Sequence, residues 1–157
     1  MAMDIVIDFL HLAATVVWIG GMVFIGAVMT PAISVLEGPN QGKVFGVFAK
    51  RFTIVAWLCT IILLITGLLK TPPELLLSFT GRYDILLAIK HLLFLGMIIG
   101  GLIITFGLAP KMRKLAPKPG EPPAKAFVAT QARIEMMSKV NLLLGVLVLL
   151  SLVIMRK

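Results

Sequence analysis

Two histidines are the side chains of this sequence best suited to chemistry in an apolar environment. They are His11 and His91, and no other histidine occurs in the 157 residues. Each lies in a long apolar run, where an ionisable residue is costly and is therefore a candidate site by default. Imidazole nitrogen is a common ligand of haem iron and of copper. The pair therefore predicts a metal or haem site.

Other kinds of active site have little support in the sequence. The single cysteine, Cys59, excludes an intrachain disulfide and a CxxC motif. There is no GxSxG, HExxH or P-loop motif, and no pair of carboxylates lies deep in an apolar run to supply acid–base chemistry. Redox chemistry with a bound cofactor is the enzymatic option that remains. The alternative is a role that is not enzymatic.

The composition places the two histidines in a membrane protein. Hydrophobic residues make up 59% of the chain and charged residues 14%, with a mean hydropathy of +1.05, whereas soluble domains carry about a quarter charged residues. The net charge is +8. Its basic residues lie between apolar runs without interleaved aromatic residues, which is typical of membrane topology rather than of nucleic-acid binding. The expected partner is the lipid membrane.

Four apolar runs are long enough to span that membrane. They cover approximately residues 5–33, 52–69, 85–108 and 140–154, near the ~20 residues that a helical span needs. Pro110 is expected to break the third span. Each should be helical, because unpaired backbone groups are costly in hydrocarbon. The sequence predicts an all-α integral membrane protein, an up-down-up-down four-helix bundle that forms a single transmembrane domain.

The basic residues predict how the spans are oriented. The loop between the first two spans and the loop 109–139 together hold ten lysines and arginines, and both would face the cytoplasm of a prokaryotic cell. Both termini then lie outside the plasma membrane. The acidic N-terminus is unlike a signal peptide, so the first run is expected to remain as a span. Within the long loop, residues 124–139 are expected to extend the fourth span as a helix.

This topology predicts that the two histidines lie at the same depth. Each is about seven residues into its span from the outer surface, which is roughly 10 Å at 1.5 Å per residue. Spans one and three would lie on the diagonal of the bundle, about 14 Å apart. Two imidazoles that face each other across this gap leave room for a metal ion or for haem iron clamped from both sides.

A few further residues would complete a haem site. Gly67 lies near the depth of the histidines and would leave a slot for a flat porphyrin, while Lys90, with Arg82 and Lys70, would pair with its propionates. Trp18, seven residues after His11, would line the pocket. Each residue also has a simpler interpretation: packing for the glycine and the tryptophan, and anchoring at the membrane interface for the basic residues.

Three residues predict contacts between helices. Gly96 and Gly100 form a GxxxG pattern, which lets helices approach closely. Asn141, near the start of the fourth span, would hydrogen-bond to a neighbouring helix. These residues predict packing rather than ligand binding.

A copper site would use the same histidines with different partners. Asp8, one turn before His11, would orient its ring or guide a cation, and Met22 and Met97 are the deeper thioether candidates for Cu(I). The methionines form no MxxxM or MxM cluster within a span near His11 and are more typical of core packing. Haem and copper both stay open, as does a third interpretation, a cofactor-free subunit of a larger membrane complex.

Several short stretches resemble one group of membrane proteins. The first span is similar to the first span of CopD-like and HemJ-like proteins, with a leucine-histidine pair followed by a tryptophan and glycines. The later spans resemble the CopD-like group, and the resemblance covers about three quarters of the chain. The stretches that carry it are Phe9-Leu10-His11-Leu12, Trp18-Ile19-Gly20-Gly21, Lys50-Arg51-Phe52, Ala56-Trp57, Thr66-Gly67-Leu68, Leu87-Ala88-Ile89-Lys90-His91 and Asn141-Leu142-Leu143-Leu144-Gly145.

The resemblance implies two different functions. HemJ-like proteins are linked to haem binding and the oxidation of protoporphyrinogen, and CopD-like domains to copper uptake or resistance. His11 matches the family histidine and Lys90 the family lysine, whereas the role of His91 rests on the depth argument. The leading hypothesis is one haem b held by His11 and His91 in a cytochrome b-like site near the outer membrane face. Such a site favours electron transfer with a redox partner or quinone, and redox chemistry with an oxidisable small molecule is the other option. CopD-like copper uptake or resistance is the alternative.

Overall fold

The chain folds into four long helices. The computed structural model describes residues 2–35, 39–75, 81–118 and 121–155, and the regular structure throughout these ranges is helical. All four helices are long and apolar enough to cross a membrane, so the prediction of an all-α protein with four spans is confirmed. The helices are α1 (Ala2–Ser34), α2 (Pro39–Lys70), α3 (Arg82–Lys114) and α4 (Lys125–Met155).

Each helix is longer than the apolar run that predicts it. Helix α2 begins at Pro39, well before the apolar run at Phe52, and α4 begins at Lys125, as the composition of 124–139 predicts. The predicted loop 109–139 is therefore mostly helical, and the connection between α3 and α4 is confined to 115–124. Hydropathy detects only the part of a helix that lies in hydrocarbon, whereas the hydrogen-bonded backbone continues beyond it.

Helix α3 continues past a proline. The prediction that Pro110 breaks the third span is wrong, because α3 runs on to Lys114. Proline lacks an N–H group, and its ring clashes with the carbonyl four residues earlier. A π-helical turn at Ile103–Leu108 precedes it, and there the N–H of Ala109 donates to the carbonyl of Ile104, five residues back. The wider turn relieves the clash without ending the helix.

Helix α1 uses the same solution. Its π-helical turn covers Ile25–Met29 and lies just before Pro31. The backbone N–H of Thr30 donates to the carbonyl of Ile25, and its hydroxyl donates to the same oxygen at 2.7 Å. The carbonyl is thus satisfied twice where a proline disturbs the usual pattern.

Contacts divide the chain into two compact units, residues 1–89 and 90–157. In the first unit α1 and α2 pack as an antiparallel pair. Gly21 lies directly against the ring of Phe52, so that a Cβ at this position would overlap with the ring. Trp18 and Leu63 are buried in the same unit.

In the second unit the rest of α3 packs antiparallel to α4. The Cβ that an alanine would place at position 96 would lie 3.4 Å from Cδ1 of Leu144, and one at position 100 would overlap with the side-chain amide of Asn141. The amide nitrogen of Asn141 donates to the carbonyl of Met97 at 3.1 Å. The predicted packing role of the two glycines and the predicted hydrogen bond of Asn141 are therefore confirmed.

Large apolar side chains cover the outside of the described helices, and polar side chains lie within. Leucine, isoleucine, valine and phenylalanine residues are exposed along all four helices, whereas Thr60, Thr66, Thr130 and Asn141 are buried. Lipid is as apolar as leucine, so helices in a membrane associate through small and polar residues. The buried threonine hydroxyls donate to carbonyls four residues back, and every buried polar side-chain atom of the described residues has a partner.

Candidate functional site

The ring of His11 is held by the neighbouring helix. His11 is half-buried on α1, and its Nδ1 lies 2.7 Å from Oγ1 of Thr66 on α2. Thr66 is only 4% exposed, so this hydrogen bond is shielded from competing water. The bond fixes the orientation of an imidazole within a pair of membrane-spanning helices.

The hydrogen bonds of Thr66 assign the tautomer of neutral His11. The threonine hydroxyl has one proton, and it donates to the carbonyl of Ile62 at 2.6 Å. In this arrangement Oγ1 accepts from His11, which corresponds to the neutral tautomer with its proton on Nδ1. The lone pair of the neutral ring then lies on Nε2, the nitrogen that would ligate a metal.

Gly67 lies beside the same ring. A Cβ at this position would lie 3.8 Å from Cε1 of His11, which is ordinary contact distance. The Cε1 edge of the imidazole, between the two ring nitrogens, therefore faces the α2 backbone at Gly67. Because glycine has no side chain, there is space next to this edge of the ring. The structure thus brings Gly67 to His11, as the sequence predicts, although a slot for a porphyrin stays a prediction.

A salt bridge lies one turn beyond the His11–Thr66 pair. Oδ1 of Asp8 is 2.7 Å from Nζ of Lys70, and both side chains are partly exposed. Asp8 is three residues before His11 and Lys70 is four residues after Thr66, so the two helices are joined at successive turns. The aspartate therefore pairs with lysine, and it is the threonine that orients the histidine ring.

The other predicted site residues lie along α1 and α3. Trp18 is buried in the first unit, two turns beyond His11. Arg82 begins α3 and is exposed, whereas Lys90 and His91 are half-buried on the same helix, in the second unit. Their roles as cofactor ligands or pocket walls stay predictions.

The described residues offer few additional metal ligands. Among them, no group of three or more histidine, cysteine, aspartate or glutamate side chains could hold a metal ion. Met97 is 2% exposed and packs in the second unit, while Met22 is half-buried on α1. Histidine, cysteine, aspartate and glutamate side chains of the described residues therefore form no three-ligand site around His11.

Two residues of this site escaped the sequence analysis in their actual roles. Thr66 was visible only as part of Thr66-Gly67 at the depth of His11, and Lys70 only as a basic residue that would pair with haem propionates. The available signal was their spacing: Lys70 follows Thr66 by four residues, and Asp8 precedes His11 by three. On antiparallel helices these intervals bring both pairs to adjacent turns.

One comparison with known proteins identifies a family. A family model described as copper resistance protein D, CopD, matches residues 46–155. The match covers α3, α4 and most of α2, with Thr66, Gly67 and His91, and it leaves α1 with His11 outside. No curated protein and no solved structure matches the chain. The family supports a copper-related membrane protein, whereas haem b and electron transport gain no support from it and stay predictions.

Proposed function

Because the chain belongs to the copper resistance protein D family, we propose that it is a multi-pass membrane protein that binds copper as its cargo through His11. The observation that carries this proposal is the 2.7 Å hydrogen bond between His11 Nδ1 and Thr66 Oγ1. It holds an imidazole in a fixed orientation within membrane-spanning helices, where an ionisable side chain is costly unless it has a function.

The hydrogen bond gives His11 the form that metal ligation requires. A metal-ligating histidine usually donates its second ring N–H to a neighbouring acceptor, which fixes the tautomer and makes the ligating nitrogen more basic. Thr66 is that acceptor, and its own proton is bound to the Ile62 carbonyl. The ligating atom in this proposal is Nε2.

The small number of ligands near His11 suits a transported ion. Imidazole and thioether groups suit copper, whereas magnesium and calcium require several oxygen ligands. The described residues contain no group of three or more histidine, cysteine, aspartate or glutamate side chains that could hold a metal ion. A cargo ion must bind strongly enough to enter and weakly enough to leave, and a site with few ligands favours release.

We propose that copper reaches His11 from outside a prokaryotic plasma membrane. The basic residues between spans one and two and between spans three and four favour a cytoplasmic position for those loops. His11 belongs to the opposite end of α1, where Asp8 and Lys70 are partly exposed. A cation that enters from this end would meet a carboxylate before the imidazole.

The test is Cu(I) binding by the full-length protein in detergent, measured by anaerobic competition with a chromophoric chelator. We expect His11→Gln to weaken binding at least tenfold, the usual scale for a lost ligand or its support. Thr60→Val is the matched control, because the Thr60 hydroxyl donates to the Ala56 carbonyl of its own helix. Unchanged binding in His11→Gln would contradict the proposal.

His91→Gln, in the same assay, measures whether the second histidine is also a ligand. An equal loss in both variants would support the predicted pair of histidine ligands. A loss in His11→Gln alone would assign copper to the first hairpin.

The same preparation tests the haem b hypothesis. An axial histidine of haem is oriented by the same kind of hydrogen bond, so His11 suits either role. A Soret band with reduced α and β bands that disappears in His11→Gln and His91→Gln would replace copper with haem. If the unaltered protein shows neither specific copper binding nor a Soret band, and both variants assemble normally, the cofactor-free subunit becomes the better interpretation.

A further inference from the structure

A concentration of positive charge lies where α3 ends and α4 begins. Three of its residues are in the last turn of α3, one is in the connection, and one begins α4. All five are exposed, and the only acidic residue between positions 109 and 125 is Glu121. This basic cluster consists of Lys111, Arg113, Lys114, Lys118 and Lys125.

The local structure holds the cluster in place. The helical segment Ala109–Lys114 packs against α4, and the Nε of Arg113 donates to the Ala109 carbonyl at 3.4 Å. Backbone N–H groups of Leu115 and Glu121 bond to the carbonyls of Lys111 and Lys118. The charges are thus presented by an ordered helix end and by short turns.

Helix lengths place the cluster outside the hydrocarbon. Helix α3 has 33 residues, or about 50 Å at 1.5 Å per residue, against a hydrocarbon thickness of about 30 Å. On α4 the exposed ion pair between Lys139 and Glu135 marks charged surface. Because Gly100 contacts Asn141, the antiparallel register puts Glu135 near the level of position 106.

The last turn of α3 lies slightly farther from the membrane centre than position 106. Lys111 and Lys114 follow position 106 by five and eight residues, which corresponds to about 8–12 Å of helix. The headgroup region extends roughly 5–8 Å beyond the hydrocarbon on each side. Since lysine and arginine side chains can reach back toward the interface, their charges lie at the depth of lipid phosphates.

We propose that the basic cluster binds the headgroups of anionic phospholipids in the leaflet at this end of α3 and α4. Lysine and arginine both bind phosphate, arginine with two parallel donors. Each basic residue near an anionic surface strengthens attraction about fivefold. Because the cluster lies beside a membrane-spanning helix, lipid phosphates are close to it. This inference is independent of copper binding at His11.

The experiment compares lipids on the delipidated, full-length protein. Phosphatidylglycerol and phosphatidylcholine are titrated separately into the protein in non-ionic detergent, and bound lipids are counted by native mass spectrometry. We expect phosphatidylglycerol to bind at least tenfold more tightly than phosphatidylcholine. Replacing Lys111, Arg113, Lys114 and Lys118 by glutamine should remove most of this preference.

A charge-retaining variant is the control for folding. Lys111→Arg, Lys114→Arg and Lys118→Arg together should keep the preference, because each position stays positive. An equal preference in the glutamine variant would overturn the proposal, and so would its loss in the arginine variant. Inorganic phosphate should displace phosphatidylglycerol no better than chloride at matched ionic strength. Specific displacement by phosphate would assign the cluster to a soluble anion instead and overturn the lipid assignment.

Discussion

The two helix pairs are joined by different kinds of hydrogen bond. In the α1–α2 pair, a histidine and a threonine side chain meet, and a salt bridge follows one turn farther on. In the α3–α4 pair, the Asn141 amide donates to the Met97 backbone carbonyl, and the approach is possible because position 100 is glycine. The first contact includes an ionisable ring, whereas the second has no titratable member.

We use this difference to separate the proposed chemical role of His11 from the structural role of Asn141. An amide that bonds to a buried carbonyl stabilises the helix pair and offers little further reactivity. An imidazole that uses one nitrogen for the helix contact has a second nitrogen of the kind that ligates metals. The α3–α4 contact is therefore expected to control stability, and the α1–α2 contact to control metal affinity.

The largest effect on stability is expected from Gly100→Ala. The new Cβ would overlap with the Asn141 amide, so the amide must move away from the Met97 carbonyl or the helices must separate. We expect a loss of about 2 kcal/mol in the free energy of unfolding, measured by titration with a denaturing detergent.

Gly20→Ala is the control for that measurement. No atom lies within 4 Å of a Cβ built at Gly20, so alanine should be neutral or slightly stabilising there through its higher helix propensity. Equal losses in both variants would show that helix packing at Gly100 is not the cause.

The next effect tests the α1–α2 contact. Thr66→Val keeps the shape of the side chain and removes the oxygen that accepts from His11 Nδ1. We expect Cu(I) affinity to fall about tenfold, which is the lower end for a lost partner of a ligating histidine. Chelator competition measures this change.

Thr66→Ser separates positioning from packing in the same assay. Serine restores the hydroxyl, so it should restore most of the affinity, while Thr60→Val should bind copper like the unaltered protein. A Thr66→Val variant with full affinity would show that the hydrogen bond does not orient the ligand.

The four helices and the helix-packing role of Gly96, Gly100 and Asn141 were predictable from the sequence. Long apolar runs leave the backbone no alternative to helix in hydrocarbon, and the spacing of Gly96 and Gly100 specifies a close approach. Asn141 is polar among leucines, so it needed a partner. For these features the sequence pattern is sufficient, because two spaced glycines or an asparagine within an apolar helix have few functions in a membrane other than helix packing.

The partner of His11 was not predictable in the same way. Threonine in a membrane helix is normally satisfied by the carbonyl four residues back, as Thr60 and Thr66 both are. Nothing in the sequence indicates which of these threonines also accepts from a histidine, because that depends on helix rotation. The continuation of α3 past Pro110 was not predictable either, because it depends on a local π-helical turn that keeps the chain helical.

A smaller effect is expected when the Asn141 hydrogen bond is removed. Asn141→Leu should lower the free energy of unfolding by about 1 kcal/mol, because interhelical hydrogen bonds in membranes contribute about that much. Its Cu(I) affinity should stay unchanged, since the altered contact belongs to α3 and α4. A large loss of copper binding in this variant would contradict the separation of roles.

The smallest effect concerns the salt bridge near His11. Lys70 neutralises Asp8 one turn from the imidazole, and the two side chains are 43% and 64% exposed. Because water screens exposed ion pairs, removing this pair should change the stability of the protein very little. Lys70→Gln would also remove a positive charge that repels an approaching cation. We therefore expect Cu(I) to bind about threefold more tightly, a gain on the scale of an exposed pair.

Salt dependence distinguishes this electrostatic effect from a change in helix packing. The gain in Lys70→Gln should shrink as ionic strength rises, because exposed charges are screened within about 10 Å at 0.1 M salt. Lys70→Arg keeps both the charge and the reach to Asp8, so its affinity should match that of the unaltered protein. Asp8→Asn should weaken binding by a similar small factor. Weaker binding in Lys70→Gln at all salt concentrations would show instead that the salt bridge supports the position of His11, and the α1–α2 contact would then be a positioning network of four side chains rather than two.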